Sequence, residues 1–292
     1  MESLEGCYGY SVNKLEKYPN LAIEKLRIYY QQRGDTIVDF PSLEQCDVVY
    51  ASSIFDFTKK LTVPYNTITG GTGYEIKKKL PPEIDSIRIH NNYGFTTRGC
   101  IRHCPFCVVP EKEGYIYAEG DLFDVWDRKS RNVILLDNNI LAMPDHFENI
   151  CKQSIDNKLK LDFNQGIDFR LVTPEIAELL GKISHAEYHL AFDMPEYADG
   201  VLNAIRLLRK YGRINRSIWY VLCGYNTTIE QDLFRLNLLR DNGQQAFVQR
   251  YRNGKPDKSL IPLARWANQH NVFYKMTYQQ FLSLPENRGY CL

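Results

Sequence analysis

The chain contains no run of about 18 apolar residues, so no membrane-spanning helix is expected. Its start, MESLEGCYGYSVNKLEKYPN, lacks a basic stretch followed by an apolar core and does not read as a secretory signal, which makes the cytoplasm the expected compartment. An excess of one charge is also missing. Thirty-six Lys+Arg against 35 Asp+Glu leave a net of +1, which argues against a uniformly basic nucleic-acid-binding surface. With 44% hydrophobic, 24% charged and 13% aromatic residues, the composition excludes a disordered chain, a collagen-like repeat and a small disulfide scaffold. No Ser-His-Asp set can be argued, and the six histidines show no metal-type spacing.

What remains is a globular chain of 292 residues, enough for one barrel-sized domain or two of ordinary size. The near-zero charge is a cancellation. Residues 201–292 carry 14 Lys+Arg and 5 Asp+Glu, a net of +9, so residues 1–200 carry −8. The two regions can neutralise each other, or the basic one can face an anionic substrate. Arg206, Arg209, Lys210, Arg213 and Arg216 concentrate in one stretch, and Arg250, Arg252, Lys255 and Lys258 in another, with Tyr251, Trp266, Tyr274 and Tyr278 among or after them. Such mixing can serve nucleotides or nucleic acid, but arginines on a helix surface are more often simply solvated.

Five of the eight cysteines (7, 46, 151, 223 and 291) are scattered and read as small buried hydrophobes. The other three crowd into Cys100-Ile101-Arg102-His103-Cys104-Pro105-Phe106-Cys107. This spacing puts three thiols on one short loop, able to converge on a single metal centre. A structural zinc site takes four ligands, usually as two separated pairs, and no second pair follows. A [4Fe–4S] cluster held by three cysteines keeps one iron open, the arrangement of a reactive site.

From residue 86 the chain alternates strand-like and helix-like segments. The strand candidates are Ile87–Phe95, Asn132–Asn138, Lys160–Phe169, Glu187–Asp193, Ser217–Leu222 and Gln245–Tyr251, the last five starting 28, 27, 30 and 28 residues apart. That is the length of a repeated strand and crossover helix. Thr173-Pro174 and Thr228-Ile229-Glu230-Gln231 read as helix starts. Leu233, Leu236 and Leu239, with Phe234 and Leu238, give the second of these helices an apolar stripe. Six units do not close an eight-fold barrel. The expectation is an α/β protein with a partial (β/α)6 TIM-like barrel over residues 86–292, preceded by a small α/β domain over residues 1–85. In that domain Asn20 caps a helix running to Gln32, strands follow at Thr36–Phe40, Asp47–Ser52 and Lys59–Val63, and the Gly70-Gly71-Thr72-Gly73 turn and Pro81-Pro82 form the connection.

Arg98-Gly99-Cys100 through Cys104-Pro105-Phe106-Cys107 resembles the cluster motif of the radical S-adenosylmethionine (SAM) superfamily, whose core fold is a partial barrel. The resemblance implies a [4Fe–4S] cluster on Cys100, Cys104 and Cys107, SAM chelating the open iron, Phe106 beside the adenine, and an external electron donor of flavodoxin or ferredoxin type. Reductive cleavage of SAM would yield a 5′-deoxyadenosyl radical that abstracts hydrogen from a substrate. The N-terminal region, with Tyr18-Pro19-Asn20-Leu21, resembles a reduced form of the cobalamin-binding domain of some members and the layout of phage and bacterial radical SAM proteins of unassigned activity. It lacks their Asp-x-His-x-x-Gly signature, so cobalamin is disfavoured.

The strand ends supply further candidates for SAM. Asp137, Asn138 and Asn139 stand where the family carries a Gly-Gly-Glu-like segment that binds the SAM amine, and they depart from it. Gln165, Asp168 and Arg170 follow the third strand, where Arg170 either binds the SAM carboxylate or pairs with Asp168. Asp193 would meet the ribose, and Gly224 would allow close backbone approach near the adenine. Glu196 could act on substrate or cap a helix. The alternative to an enzyme is a non-catalytic iron–sulfur or zinc-stabilised protein that binds nucleic acid, a partner not favoured here. The substrate itself is not legible.

Overall fold

The computed structural model describes residues 7–12, 19–39, 46–56, 60, 62–65, 67–252 and 257–290. They form a mixed α/β protein built on parallel sheets. Contacts divide the chain into two compact units, Met1–Ser130 and Arg131–Leu292.

The first unit holds β1 (Cys7–Val12), α1 (Leu21–Gln32), β2 (Thr36–Asp39), β3 (Val48–Ser52) and β4 (Ile68–Gly70), with the four strands parallel in the order β2-β1-β3-β4. As expected, the Asn20 side chain caps α1 by accepting the Ile23 N–H, and Ile23 and Leu26 carry the helix into a core shared with Ile84. The expected strand at Lys59–Val63 includes 59 and 61, which lie outside the described residues, while 60, 62 and 63 are not strand; β4 follows instead. Beyond β4 come α2 (Pro82–Asp85), β5 (Tyr93–Gly94), β6 (Thr97–Arg98), α3 (Val109–Lys112) and β7 (Tyr117–Ala118). Strands β6 and β7 pair antiparallel, so the cysteine loop is the insert of a hairpin.

The expected strand Ile87–Phe95 shrinks to Tyr93–Gly94. Asn92 takes φ 64°, and the Asn91 side chain accepts the Tyr93 N–H, a local turn that competes with extended pairing.

The second unit repeats strand and helix. Its elements are β8 (Asn132–Leu135), α4 (Pro144–Asp156), β9 (Lys160–Phe163), α5 (Pro174–Lys182), β10 (Ser184–His185), β11 (His189–Ala191), α6 (Ala198–Gly212), β12 (Ile218–Cys223), α7 (Ile229–Asp241), β13 (Gln245–Arg250) and α8 (Leu260–Ala267). Strand β9 runs parallel between β8 and β10, and β12 parallel between β11 and β13. A single parallel bridge, Ile167 to Leu190, links the two sets just past β9. The Thr173 cap and the Thr228–Gln231 capping box form as the sequence indicates.

Strand residues alternate between fully and partly buried, as a period of two requires. Leu161, Phe163, Leu190, Trp219, Val221 and Val248 are buried, whereas Asp162, His189, Tyr220 and Phe247 occupy the opposite, less covered face. The apolar stripe expected of α7 forms only in part, at Leu236 and Leu239. Asp232, Arg235, Leu236 and Leu239 are buried at helical spacing, and Phe234 is exposed. Trp266 is also buried, its indole N–H donating to the Met276 carbonyl, so it belongs to the core and not to a basic surface. Among the described residues no helix is long and apolar enough to cross a membrane.

Candidate active site

The cysteine loop leaves the hairpin at Gly99, which sits at φ 77° with its α-carbon against the returning strand. A Cβ there would lie 2.5 Å from the Tyr115 carbonyl oxygen. The base of the loop is closed by three contacts. Glu113 accepts from the Gly99 N–H at 2.9 Å and from Arg98 Nη1 at 2.7 Å, and the Cys100 N–H donates to the Gly114 carbonyl at 3.1 Å. The Arg98 guanidinium also lies 3.8 Å over the Phe95 ring. Gly99→Ala should therefore lower stability by more than about 1 kcal/mol, since an alanine fits neither the positive φ nor the space. A thermal melt unchanged from wild type would contradict that packing.

Within the loop, the Cys107 N–H donates to the Cys104 carbonyl at 3.0 Å. Cys104-Pro105-Phe106-Cys107 is thus a closed turn with proline at its favoured second position, holding the two cysteine α-carbons within about 7 Å. The Cys100 sulfur accepts the Arg102 N–H at 3.3 Å, the kind of contact that tunes sulfur in iron–sulfur sites. Cys100 and Cys104 are half-buried and Cys107 is exposed, as are His103 and, in part, Phe106.

The backbone thus brings Cys104 and Cys107 together in one turn. Among the described residues, however, no three His, Cys, Asp or Glu side chains are gathered closely enough to hold a metal ion. Cys151 and Cys223 lie elsewhere and are fully buried. Burial pushes the Cys151 thiol up to about 12 and the Cys223 thiol upward as well, so both stay protonated and inert near neutral pH. Of the remaining cysteines, Cys46 is half-buried, Cys291 lies outside the described residues, and so does the side chain of Cys7.

In the second unit the polar residues after β8, β9, β11 and β12 form linked groups. Asp137 and Asn139 are buried just past β8 and Asn138 is half-buried. The Asn139 amide donates to Asp168 at 3.2 Å, and Arg170 grips the same carboxylate with Nε at 2.6 Å and Nη2 at 3.2 Å. Arg170 thus forms the Asp168 pair, and its guanidinium lies 5.5 Å from the centre of the Tyr197 ring. Gln165 is exposed at the tip of the same loop, and Glu196 is exposed in a single 3-10 turn.

Past β11, burial raises the carboxyl of Asp193 above the ordinary carboxylate range, against the opposing pull of the Leu222 N–H and Arg235. Gly224 turns the chain after β12 at φ 81°. Its N–H donates to Thr227 Oγ1 and to Asp232, both at 3.2 Å, and a Cβ would meet Leu260 at 2.6 Å.

Two groups here escaped the sequence reading. Arg235, fully buried on α7, pairs with buried Asp232 at 2.5 Å and donates to the carbonyls of Phe192, Asp193 and Leu222 at 2.6, 2.6 and 2.9 Å. It fastens the ends of β11 and β12 on which Asp193 and Gly224 depend. The signal was the spacing of 232, 235, 236 and 239, masked because two of the four residues are charged. The second group is Asp162 on β9 and His189 on β11, which belong to different strand sets but lie 3.8 Å apart.

Burial is also the main influence that raises the Asp162 carboxyl, with His189 opposing it. A carboxyl raised in the fold adds stability below its unfolded value near 3.8 and loses it as pH climbs through the folded one. Asp162→Asn should therefore be more stable than wild type at neutral pH, with the difference shrinking toward pH 4. Urea unfolding at several pH values reads this directly, and a gap independent of pH would refute it.

No protein-family model and no curated protein matches this chain.

Proposed function

We propose that this chain is a radical SAM enzyme, its second unit the main part of a partial (β/α)6 barrel and its cysteine loop the seat of a [4Fe–4S] cluster. The observation that carries this reading is the loop itself. Cys104 and Cys107 are joined through the backbone of one proline turn, Cys100 sits four residues before Cys104 with its sulfur already accepting an N–H, and the hairpin base is tied by Glu113. The two buried cysteines are protonated and offer no competing site.

When bound, such a cluster supplies the electron that splits SAM into methionine and a 5′-deoxyadenosyl radical. The chain's own part is to bind and orient. Cys100, Cys104 and Cys107 would hold the cluster, their side chains turning inward on loading, and Phe106 would lie beside the adenine. Asp137, Asn138 and Asn139 offer acceptors for the SAM amine. Asp193 and the Gly224 backbone lie on strand ends held in place by Arg235, suited to ribose and adenine. Arg170 would reach the SAM carboxylate only by sharing its grip on Asp168, so Gln165 and Asp168 are the alternative polar contacts there.

Reduction of the anaerobically reconstituted protein should give the electron paramagnetic resonance signal of a [4Fe–4S]+ cluster, and SAM should shift it. Tightly bound zinc, or a cluster signal indifferent to SAM, would contradict the proposal.

A further inference from the structure

The basic stretch around the end of α6 has no part in the proposed chemistry, and it lies at the other end of the strands. The residues offered to SAM follow the carboxyl ends of β8, β9, β11 and β12, whereas Arg213 and Arg216 lie between α6 and the start of β12. Arg206, Arg209 and Lys210 are three and four residues apart on α6 and share its exposed side, and Arg213 and Arg216 are exposed beyond its end. No Asp or Glu occurs between Asp199 and Glu230, so these five cations have no neutralising neighbour in sequence. The fold supplies none either. Among the described residues none of the five makes an ion pair, although Arg170, Lys182, Arg235 and Arg240 of the same unit all do. One carboxylate, Glu187, acts near Arg216, both being sensed by His270.

Two features set this stripe apart from cations that merely complement a helix end. The first is in the backbone. Arg213 takes φ 57°, a left-handed conformation that strains a side chain and suits glycine. After α7 the left-handed position is Gly243, at φ 66°. Glycine would serve the fold better at 213, so the arginine calls for a reason outside folding. The second feature is aromatic. Arg216 lies 5.3 Å over the ring of Tyr274 on α9 (His270–Lys275), Lys210 lies 5.0 Å over the ring of Tyr211, and both tyrosines are exposed.

Unpaired cations in a row fit a polyanion. Four of the five are arginine, whose planar fork matches phosphate, and the exposed tyrosines beside them offer faces on which unpaired bases stack. An acidic protein would use the charges and leave the rings idle, and an intact duplex hides its base faces. We infer that the exposed side of α6 and the turn after it bind single-stranded nucleic acid, its phosphates on Arg206, Lys210, Arg213 and Arg216 and its bases against Tyr211 and Tyr274. The inference stands apart from the radical SAM reading, since none of these residues is offered to the cluster or to SAM.

The test is fluorescence anisotropy of a labelled single strand about 12 nucleotides long, as RNA and as DNA, titrated with the full-length protein at salt from about 50 to 200 mM. The expected result is binding of at least one strand with a Kd below about 100 µM near 0.1 M salt. The logarithm of affinity should fall with the logarithm of salt at a slope of roughly −3, the value for about four neutralised phosphates. Arg213→Gly combined with Arg216→Ala should weaken binding about tenfold and flatten that slope by about 1.4. Arg213→Gly alone should melt no lower than wild type, so its weaker binding is not misfolding. Tyr274→Ala should weaken binding with the slope unchanged, because a ring releases no counterion. Absence of binding by both strands, or binding indifferent to the arginine substitutions, would overturn the proposal. Equally tight binding of labelled poly-glutamate would overturn it too, by making the partner an acidic protein. SAM cleavage should proceed unchanged in Arg213→Gly, so the failure of either proposal is visible without the other.

Discussion

Replacing any one of Cys100, Cys104 or Cys107 with alanine should reduce iron and sulfide retention after anaerobic reconstitution to background, whereas Cys151→Ala should retain both. The contrast follows from where the sulfurs sit. The first three lie on one loop, half-buried or exposed, with Cys104 and Cys107 joined across a single turn. A cluster needs thiolates, and removing one of three leaves two ligands on a loop of eight residues with no nearby substitute. His103, exposed within the loop, does not replace a thiolate in kind.

Cys151 is a fully buried thiol raised to about 12, which makes it a packing atom. Its loss should cost about 1 kcal/mol for the small cavity left behind and no iron. Equal iron loss in all four variants would mean that the loop is not the cluster site. Iron retained in all three loop variants would mean the same.

The second large effect belongs to Arg235. Arg235→Ala should destabilise the protein by about 3–5 kcal/mol, the range for breaking a buried ion pair on one side. The cost arises because Asp232 is left charged at 1% side-chain exposure while the carbonyls of Phe192, Asp193 and Leu222 lose their donor. A typical domain has only about 5–15 kcal/mol of stability, so the variant stands near the limit of folding. Arg235→Met combined with Asp232→Leu removes both charges and should recover part of the loss, though not the carbonyl bonds. The midpoint of urea unfolding measures each step. A shift worth less than about 1 kcal/mol for Arg235→Ala would mean that the buried network does not bind the strand ends together.

The same residue shows why some of this molecule was legible in its sequence and some was not. Helix starts announce themselves through local chemistry, and Asn20, Thr173 and Thr228 each cap the helix expected of them. The strand repeat was visible for a similar reason, since short apolar runs recurred at nearly constant intervals. The ends of those strands were overestimated. The run expected to reach Phe169 stops at Phe163 because the Gly166 N–H donates back to the Phe163 carbonyl and Gly166 takes φ 97°, closing a turn.

Strand β1 went unread because CYGYSV alternates weakly and contains a glycine, and its place in the sheet comes from β2 and β3 on either side. Arg235 and Asp232 were hidden by an assumption that charge marks surface, which three backbone carbonyls and one another's charge overturn. Asp162, His189 and Tyr220 are 27 and 31 residues apart in sequence, and only the tertiary fold brings them together. The cysteine triplet needed no such help. Its spacing was local, and the turn that joins Cys104 to Cys107 is local too.

The most direct test of the account is a single-turnover assay for 5′-deoxyadenosine. Reconstituted protein, SAM and a low-potential reductant are mixed without oxygen, and the products are separated by chromatography. The account predicts 5′-deoxyadenosine and methionine in equal amounts, dependent on reductant and absent in Cys107→Ala. Intact SAM after reduction of a fully loaded cluster would contradict it.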